Sequence, residues 1–142
     1  MDESPSGYRL ERPRNGGSFR FLHQQLVAVR PSDAGYFAIC CVRWIAISEG
    51  AVLRIGIRTM PGVPQGIAVR IGGIKAQTDK FVPALMLPAV PALRTPPTLV
   101  IPAGWFRHKR LLEVQSGAVA QVLLTHATER GSDFDRCTFE PV

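Results

Sequence analysis

Several kinds of segment are absent from this 142-residue sequence. It holds no apolar run approaching the ~18 residues that cross a bilayer, and its first residues are acidic and polar, unlike an export leader. It also holds no long segment with apolar residues at the 3.6-residue period of an amphipathic helix. These absences predict a soluble, unexported, cytoplasmic protein that does not use a membrane and is not built from helices.

Cysteine is scarce, with three residues in the chain. Cys40 and Cys41 are adjacent and would point to opposite sides of a strand, and Cys137 makes the count odd. This count and spacing do not suit a disulfide framework, so we expect a reducing compartment. The three histidines show no ligand spacing to one another or to the cysteines, and the sequence predicts neither a metal nor a cofactor.

Motifs of catalysis are missing as well. The sequence contains no nucleophile elbow, no phosphate loop and no framework of paired carboxylates. Asp133 and Asp135 would share a strand face and could hold a cation, although such residues near a C-terminus are more often a solvated turn. The sequence therefore predicts a protein that is not an enzyme.

Positive charge is abundant and comes chiefly from arginine. The 17 Lys and Arg exceed the 11 Asp and Glu by six, and 14 of the 17 are arginines. Residues 1–70 carry nine Arg against five acids, whereas residues 71–142 carry eight Lys or Arg against six. The first half is therefore the better candidate for a phosphate-bearing ligand. The alternative is a solvated surface, because no run of five or more like charges occurs.

Turn-forming residues are frequent, with 12 Pro and 13 Gly beside a hydrophobic content of 46%. Short apolar stretches separated by such residues predict an all-β fold. A helical turn is expected at 126–130. Hairpins are predicted between strands 36–48 and 51–59 and between strands 111–115 and 118–125. The predicted strands are 8–11, 25–30, 36–48, 51–59, 66–71, 81–87, 98–101, 111–115, 118–125 and 134–139.

A cluster of prolines and glycines at 60–66 indicates a boundary between two units. We predict a β-barrel portion at residues 1–62, a linker or strand-containing connection at 63–80, and a second small β-barrel-like unit at 81–142.

Two aromatic positions have alternative interpretations. Trp44 lies among apolar neighbours, so we predict a packing residue rather than a platform that stacks a base. Trp105 and Phe106 precede the positive stretch 107–110 and could form a surface for single-stranded nucleic acid. Because the second half is only modestly basic, aromatics that pack inward are favoured, and nucleic acid is not expected as a partner.

The first residues of the chain form an Asp-x-Ser-x-x-Gly pattern, from Asp2 through Ser4 to Gly7. Asp2 and Ser4 are two positions apart, so an extended segment places carboxylate and hydroxyl on the same face. Gly7 lacks a Cβ and lets another backbone come close. This arrangement predicts a small polar ligand site beside a strand.

This pattern, followed by an aromatic-started strand, resembles the second signature of PilZ domains, small barrels that commonly bind cyclic di-GMP. Val42-Arg43-Trp44 and Gly56-Ile57 stand downstream in the order of that family, so the resemblance covers residues 2–58. It implies a partial PilZ-like small barrel followed by the second β-barrel-like unit, and a bacterial signalling role.

The resemblance also implies a ligand and its contacts. Cyclic di-GMP would touch Asp2, Ser4 and Gly7, with help from Arg9, Arg12 or Arg14. These arginines would stand in for the Arg-x-x-x-Arg element that precedes the motif in PilZ receptors, for which Met1 leaves no room.

The missing Arg-x-x-x-Arg element has two explanations. The chain is a piece of a longer protein, which we favour, or it is a degenerate relative that no longer binds nucleotide. A degenerate relative would serve as a protein-interaction module. In either case an exposed sheet edge is expected to recruit a protein partner or a second copy of the chain.

Overall fold

The computed structural model describes residues 2–4, 7–13, 21–48, 52–73 and 80–142, without side chains for 2–4, 12, 13 and 48. In this part of the chain, alternating apolar residues and frequent turns form strands and a single short 3-10 helix, Pro91–Leu93. The strands are β1 Asp2–Ser4, β2 Gly7–Pro13, β3 Leu26–Val29, β4 Ala38–Ser48, β5 Val52–Thr59, β6 Gln65–Ile71, β7 Val82–Leu87, β8 Thr98–Pro102, β9 Leu111–Ser116, β10 Ala118–Arg130 and β11 Phe134–Pro141. The predicted all-β fold is confirmed.

The strands form two sheets. The first is a curled antiparallel sheet in the order β1-β2-β5-β4-β3, and the second is a closed barrel in the order β10-β11-β8-β7-β6-β9. A partial barrel followed by a second barrel is thus the observed fold class. The segment 63–80, expected as a linker or strand-containing connection, contributes β6 to the closed barrel.

The chain separates into two compact units. One contains Met1–Pro61 with Gly131–Asp133, and the other contains Gly62–Arg130 with Phe134–Val142. The division into domains at 1–62, 63–80 and 81–142 stays a prediction about organisation.

Each sheet buries one of its two faces, as the two-residue period of a strand requires. In the first sheet, buried side chains of β4 and β5 form the core, and Tyr8, Leu10 and Val27 pack against them. The core of the first sheet is Ala38, Cys40, Val42, Ile55 and Ile57. The barrel core is Ile67, Val69, Leu99, Ile101, Leu112, Val122, Leu124 and Cys137.

The helical turn expected at 126–130 is wrong, because β10 continues as a strand to Arg130. Its pairing with β11 is irregular at two places, between Leu124 and Ala127 and between Ala127 and Glu129. The hydroxyl of Thr138 accepts a hydrogen bond from His126 N at 3.2 Å, and Thr128 Oγ1 donates to the Arg136 carbonyl at 3.2 Å. These cross-strand bonds replace the hydrogen bonds that a helical turn would form.

The two aspartates that could hold a cation bind backbone amides instead. Asp133 Oδ1 accepts a hydrogen bond from Leu26 N at 2.8 Å. Asp135 Oδ2 accepts one from Phe106 N at 3.0 Å, and Phe106 and Trp105 pack against the barrel core. Their packing agrees with the interpretation that these two aromatics face inward.

The three thiols are predicted to be unreactive in the folded protein. All three cysteines are free and buried, and burial, with a smaller effect from the Asp135 carboxylate, raises the pKa of Cys137 from 9.0 to about 12. Because only the thiolate attacks, a shift of this size lowers the reactive fraction at pH 8 by about a thousandfold.

Labelling with a chromogenic disulfide reagent at pH 8 measures this reactivity. We expect negligible labelling of the native chain and rapid labelling of all three thiols in denaturant. A thiol that reacts rapidly under native conditions would contradict the buried positions.

Candidate functional site

The hairpin of β1 and β2 brings four predicted site positions together. Its register pairs Asp2 with Arg9 and Ser4 with Gly7. Residues paired across an antiparallel ladder lie on the same face of the sheet. The four positions therefore share one face, opposite the core that Tyr8 and its neighbours cover. We call it the outer face of the first sheet.

The outer face continues across two more strands. Arg9 pairs with Gly56 of β5, and Gly56 pairs with Trp44 of β4. Asp2, Arg9, Gly56 and Trp44 thus form one row across four strands, which we call the Asp2–Trp44 row. Neighbouring strands are about 4.8 Å apart, so the row spans about 14 Å. A second row beside it pairs Gly7 with Arg58.

Both glycines on this face are required by close approaches. A Cβ at Gly7 would collide with the backbone carbonyl of Ile57, so only glycine lets β2 lie this close to β5. A Cβ at Gly56 would collide with the indole of Trp44. The indole therefore lies against the bare backbone of Gly56, and Trp44 remains 42% exposed.

Trp44 packs on the Gly56 backbone, but it does so on the outer face and not among its apolar neighbours. The preference for a packing role over a base-stacking role stays a prediction. The pairing of β4 with β5 shifts between Val42 and Trp44, which marks a bulge at Arg43. Because a bulge adds one residue to one strand, it reverses which later side chains face the core. Val42 is in the core, and Trp44 then lies on the outer face.

Three arginines and one carboxylate, Glu11, have described side chains on the outer face. Arg54 pairs with Glu11 across β5 and β2, and Arg54 Nε is 3.1 Å from Glu11 Oε1. Arg9 Nη2 is 3.9 Å from the same oxygen. Arg58 occupies the row of Gly7. With Asp2 counted beside Glu11, three arginines against two carboxylates still leave this surface with an excess of positive charge.

Four of the six predicted site residues lie on the outer face, whereas Arg12 and Arg14 are not shown there. Asp2, Ser4, Gly7 and Arg9 share the outer face through their backbone register. Arg12 pairs with Leu53 and alternates with Arg9 along β2, and its side chain lies outside the described part. The last residue of the predicted set, Arg14, also lies outside it. The ligand contacts of all six remain predictions.

Three further residues of the outer face escaped the sequence interpretation. Trp44 stood within the Val42-Arg43-Trp44 motif, but the bulge hid the face on which it lies. Arg54 and Arg58 alternate with apolar residues along β5. This alternation predicts that both arginines are exposed, but it does not identify the strand that pairs with β5. Only the pairing of β2 with β5 brings them to Glu11 and Gly7.

The opposite face of the first sheet holds a cavity of about 270 Å³. Its lining residues are Leu10, Glu11, Phe21, Leu53 and Ile55, of which all but Glu11 are apolar. These apolar side chains suit another apolar group and offer no cation for a phosphate. The outer face is therefore the better candidate for an anionic ligand.

The described residues hold neither a metal-binding cluster nor a membrane-spanning helix. Among them, no group of three or more His, Cys, Asp or Glu side chains is arranged to hold a metal ion. Within the same residues no helix is long and apolar enough to cross a membrane.

Together, the fold and the outer face define a two-unit β-module with an arginine-rich, tryptophan-bearing surface. The model of the FimW C-terminal beta-barrel domain family matches residues 67–142, more than half of the chain. The chain belongs to this family.

One relative covers nearly all of this chain. The cyclic-di-GMP receptor FimW of Pseudomonas aeruginosa is 26% identical over 136 residues, which is 96% of this chain and 21% of that protein. The chain thus spans about a fifth of the length of the relative. No solved structure matches the chain.

Proposed function

We propose that this chain is a cyclic di-GMP-binding signalling module, resembling PilZ domains, and that the ligand lies on the outer face of the first sheet. The Asp2–Trp44 row, which aligns the sequence motif with an exposed indole, carries the proposal. The name of the Pseudomonas aeruginosa relative, a cyclic-di-GMP receptor, supports the same ligand.

Each part of the outer face suits one part of the ligand. Cyclic di-GMP carries two guanines and two phosphodiesters. The Asp2 carboxylate would accept hydrogen bonds from the N–H edge of a guanine, and Ser4 would bond a phosphate or a base. Gly7 lets the ligand approach the backbone. The indole of Trp44 lies beside Gly56 with Nε1 nearest, and its exposed part offers a surface on which a guanine would stack.

The arginines supply the charge that the phosphodiesters require. Arg9 and Arg58 lie in the two rows that hold Asp2 and Gly7, within reach of a ligand on the same face. One guanidinium group can donate two parallel hydrogen bonds to a phosphate and can also stack on a purine, whereas a lysine ammonium does neither. Arg12 and Arg14 join the proposed set as further phosphate contacts.

Calorimetric titration of the chain with cyclic di-GMP tests the site. We expect Asp2→Ala and Ser4→Ala each to weaken binding by about tenfold or more, because hydrogen bonds to charged groups contribute about 1.5–3 kcal/mol. Asp33→Ala is the matched control, because it removes an exposed carboxylate from a turn of the same unit. Tight binding that ignores both substitutions would move the ligand elsewhere.

The second candidate function is a protein-interaction module without nucleotide. Of the described strands, β1 and β3 end the first sheet, and such edges pair with strands of other chains. Ile47 of β4 is 66% exposed and adds apolar surface. A wild-type chain that binds no cyclic di-GMP and sediments as a dimer would favour this candidate.

We also propose that the module is a non-enzymatic protein of the bacterial cytoplasm. The module binds its ligand and catalyses no reaction, in keeping with a relative that is named as a receptor. Its three cysteines are all free thiols, which suits the reducing environment of the bacterial cytoplasm.

A further inference from the structure

The outer face already carries an anion of its own. Glu11 follows Arg9 by two positions on β2, so the two residues lie about 6.7 Å apart along the same face. Its carboxylate oxygen Oε1 is 3.1 Å from Arg54 Nε and 3.9 Å from Arg9 Nη2. The side chains of all three residues are between 42% and 46% exposed. One carboxylate is therefore shared by two arginines next to the Asp2–Trp44 row.

The pairing of Glu11 with Arg54 is loosely aligned. Although Arg54 Nε is shielded from solvent, it makes no hydrogen bond to any atom of the described residues. The two groups thus attract by charge without an aligned hydrogen bond. Exposed ion pairs of this kind contribute little to stability, because water screens them.

A second arginine–glutamate pair of the chain shows the contrasting case. In the barrel, Arg70 Nε donates to Glu113 Oε2 at 2.7 Å, and the side chains are only 21% and 13% exposed. The Arg70 guanidinium also lies 4.3 Å from the centre of the Phe81 ring. This pair is fixed by a hydrogen bond and a ring contact and is mostly buried, whereas the Glu11 pair is half-exposed and open to exchange.

We propose that Glu11 is an internal counter-anion that competes with the phosphates of cyclic di-GMP for Arg9 and Arg54. This inference rests on the proposed function. In the free protein Glu11 holds both guanidinium groups. When the ligand binds, the two arginines turn from the carboxylate to the phosphodiester oxygens, with which they form stronger bidentate hydrogen bonds.

The competition has two parts, and both weaken binding. The ligand must displace the carboxylate from the arginines, and its phosphates must then lie near a charge of the same sign. Glu11 therefore sets the ligand concentration at which the module responds. Arg54, which no sequence motif contains, becomes a phosphate-binding residue of the site.

Titration of the full 142-residue chain with cyclic di-GMP tests this inference. Glu11→Gln keeps the size of the side chain and removes its charge, and we expect it to tighten binding by about three- to tenfold. Glu113→Gln is the matched control, because it removes the carboxylate of the barrel pair, and it should leave the affinity unchanged. Thermal melting of both variants checks that each is folded.

A second variant assigns the effect to the arginine. In an Arg54→Ala background, the gain from Glu11→Gln should shrink to about two- to threefold, because one of the two released guanidinium groups is gone and Arg9 remains. A gain of full size in that background would overturn the role of Arg54.

The outcomes separate this inference from the proposed function. Wild-type binding that responds to Asp2→Ala, together with unchanged or weaker binding by Glu11→Gln, would overturn the role of Glu11 alone. In that case Glu11 would position the arginines rather than compete for them. No binding by either the wild type or Glu11→Gln would overturn both proposals.

Discussion

Gly7→Ala is expected to lower the free energy of unfolding by about 2–3 kcal/mol, at the upper end of what one added methyl group costs in a packed site. The new Cβ would collide with the carbonyl oxygen of Ile57, which is backbone and has no rotamer to change. Relief would require β2 to move away from β5, which would break the ladder that aligns Arg9 with Gly56. Cyclic di-GMP binding should be lost with it.

Urea unfolding followed by circular dichroism measures the loss of stability. Gly66→Ala is the matched control, because Gly66 also lies within a strand and a Cβ there would meet nothing within 4 Å. The control should unfold at or above the wild-type midpoint. A Gly7→Ala variant as stable as the control would mean that β2 does not lie as close to β5 as described.

Trp44→Ala is expected to weaken cyclic di-GMP binding by about 10- to 100-fold, because stacking of a base on an aromatic ring contributes about 1–3 kcal/mol. The loss of stability should be small, because the indole lies on the surface and is 42% exposed. Calorimetry gives the affinity, and thermal melting gives the stability.

Two substitutions control the Trp44 experiment. Trp44→Phe keeps an aromatic ring and should retain most of the affinity. Tyr36→Ala removes another half-exposed aromatic side chain of the same unit and should have no effect. Undiminished binding by Trp44→Ala would remove the stacking platform from the site, whereas a large loss of stability would support the predicted packing role of Trp44.

Much of the fold follows from signals that are local in the sequence. Gly117 has φ of 82°, as a tight turn demands, and it joins β9 to β10 close to where the sequence predicts a hairpin. Alternation of apolar residues with Arg54, Gly56 and Arg58 likewise located β5. A short turn fixes its own geometry, so these elements need no information from distant residues.

The parts that were missed depend on distant pairing. The strand β10 extends past Thr125 because β11 lies alongside to bond its backbone, and no local pattern reports that partner. In β4 the residues around the bulge are apolar on both faces, so their pattern does not indicate which face is buried. Only the pairing with β5 shows that Trp44 lies on the outer face. The site has the same origin, because it exists only where β1, β2, β5 and β4 meet.

The contact between Trp44 and Gly56 also constrains how the first sheet can change over evolution. Any side chain at position 56 would occupy the space of the indole, and a smaller residue at position 44 would leave the Gly56 backbone uncovered. Drift at one position is therefore penalised until the other changes too. Homologous chains should fall into two groups, those with both residues and those with neither, and the two positions should covary as a pair.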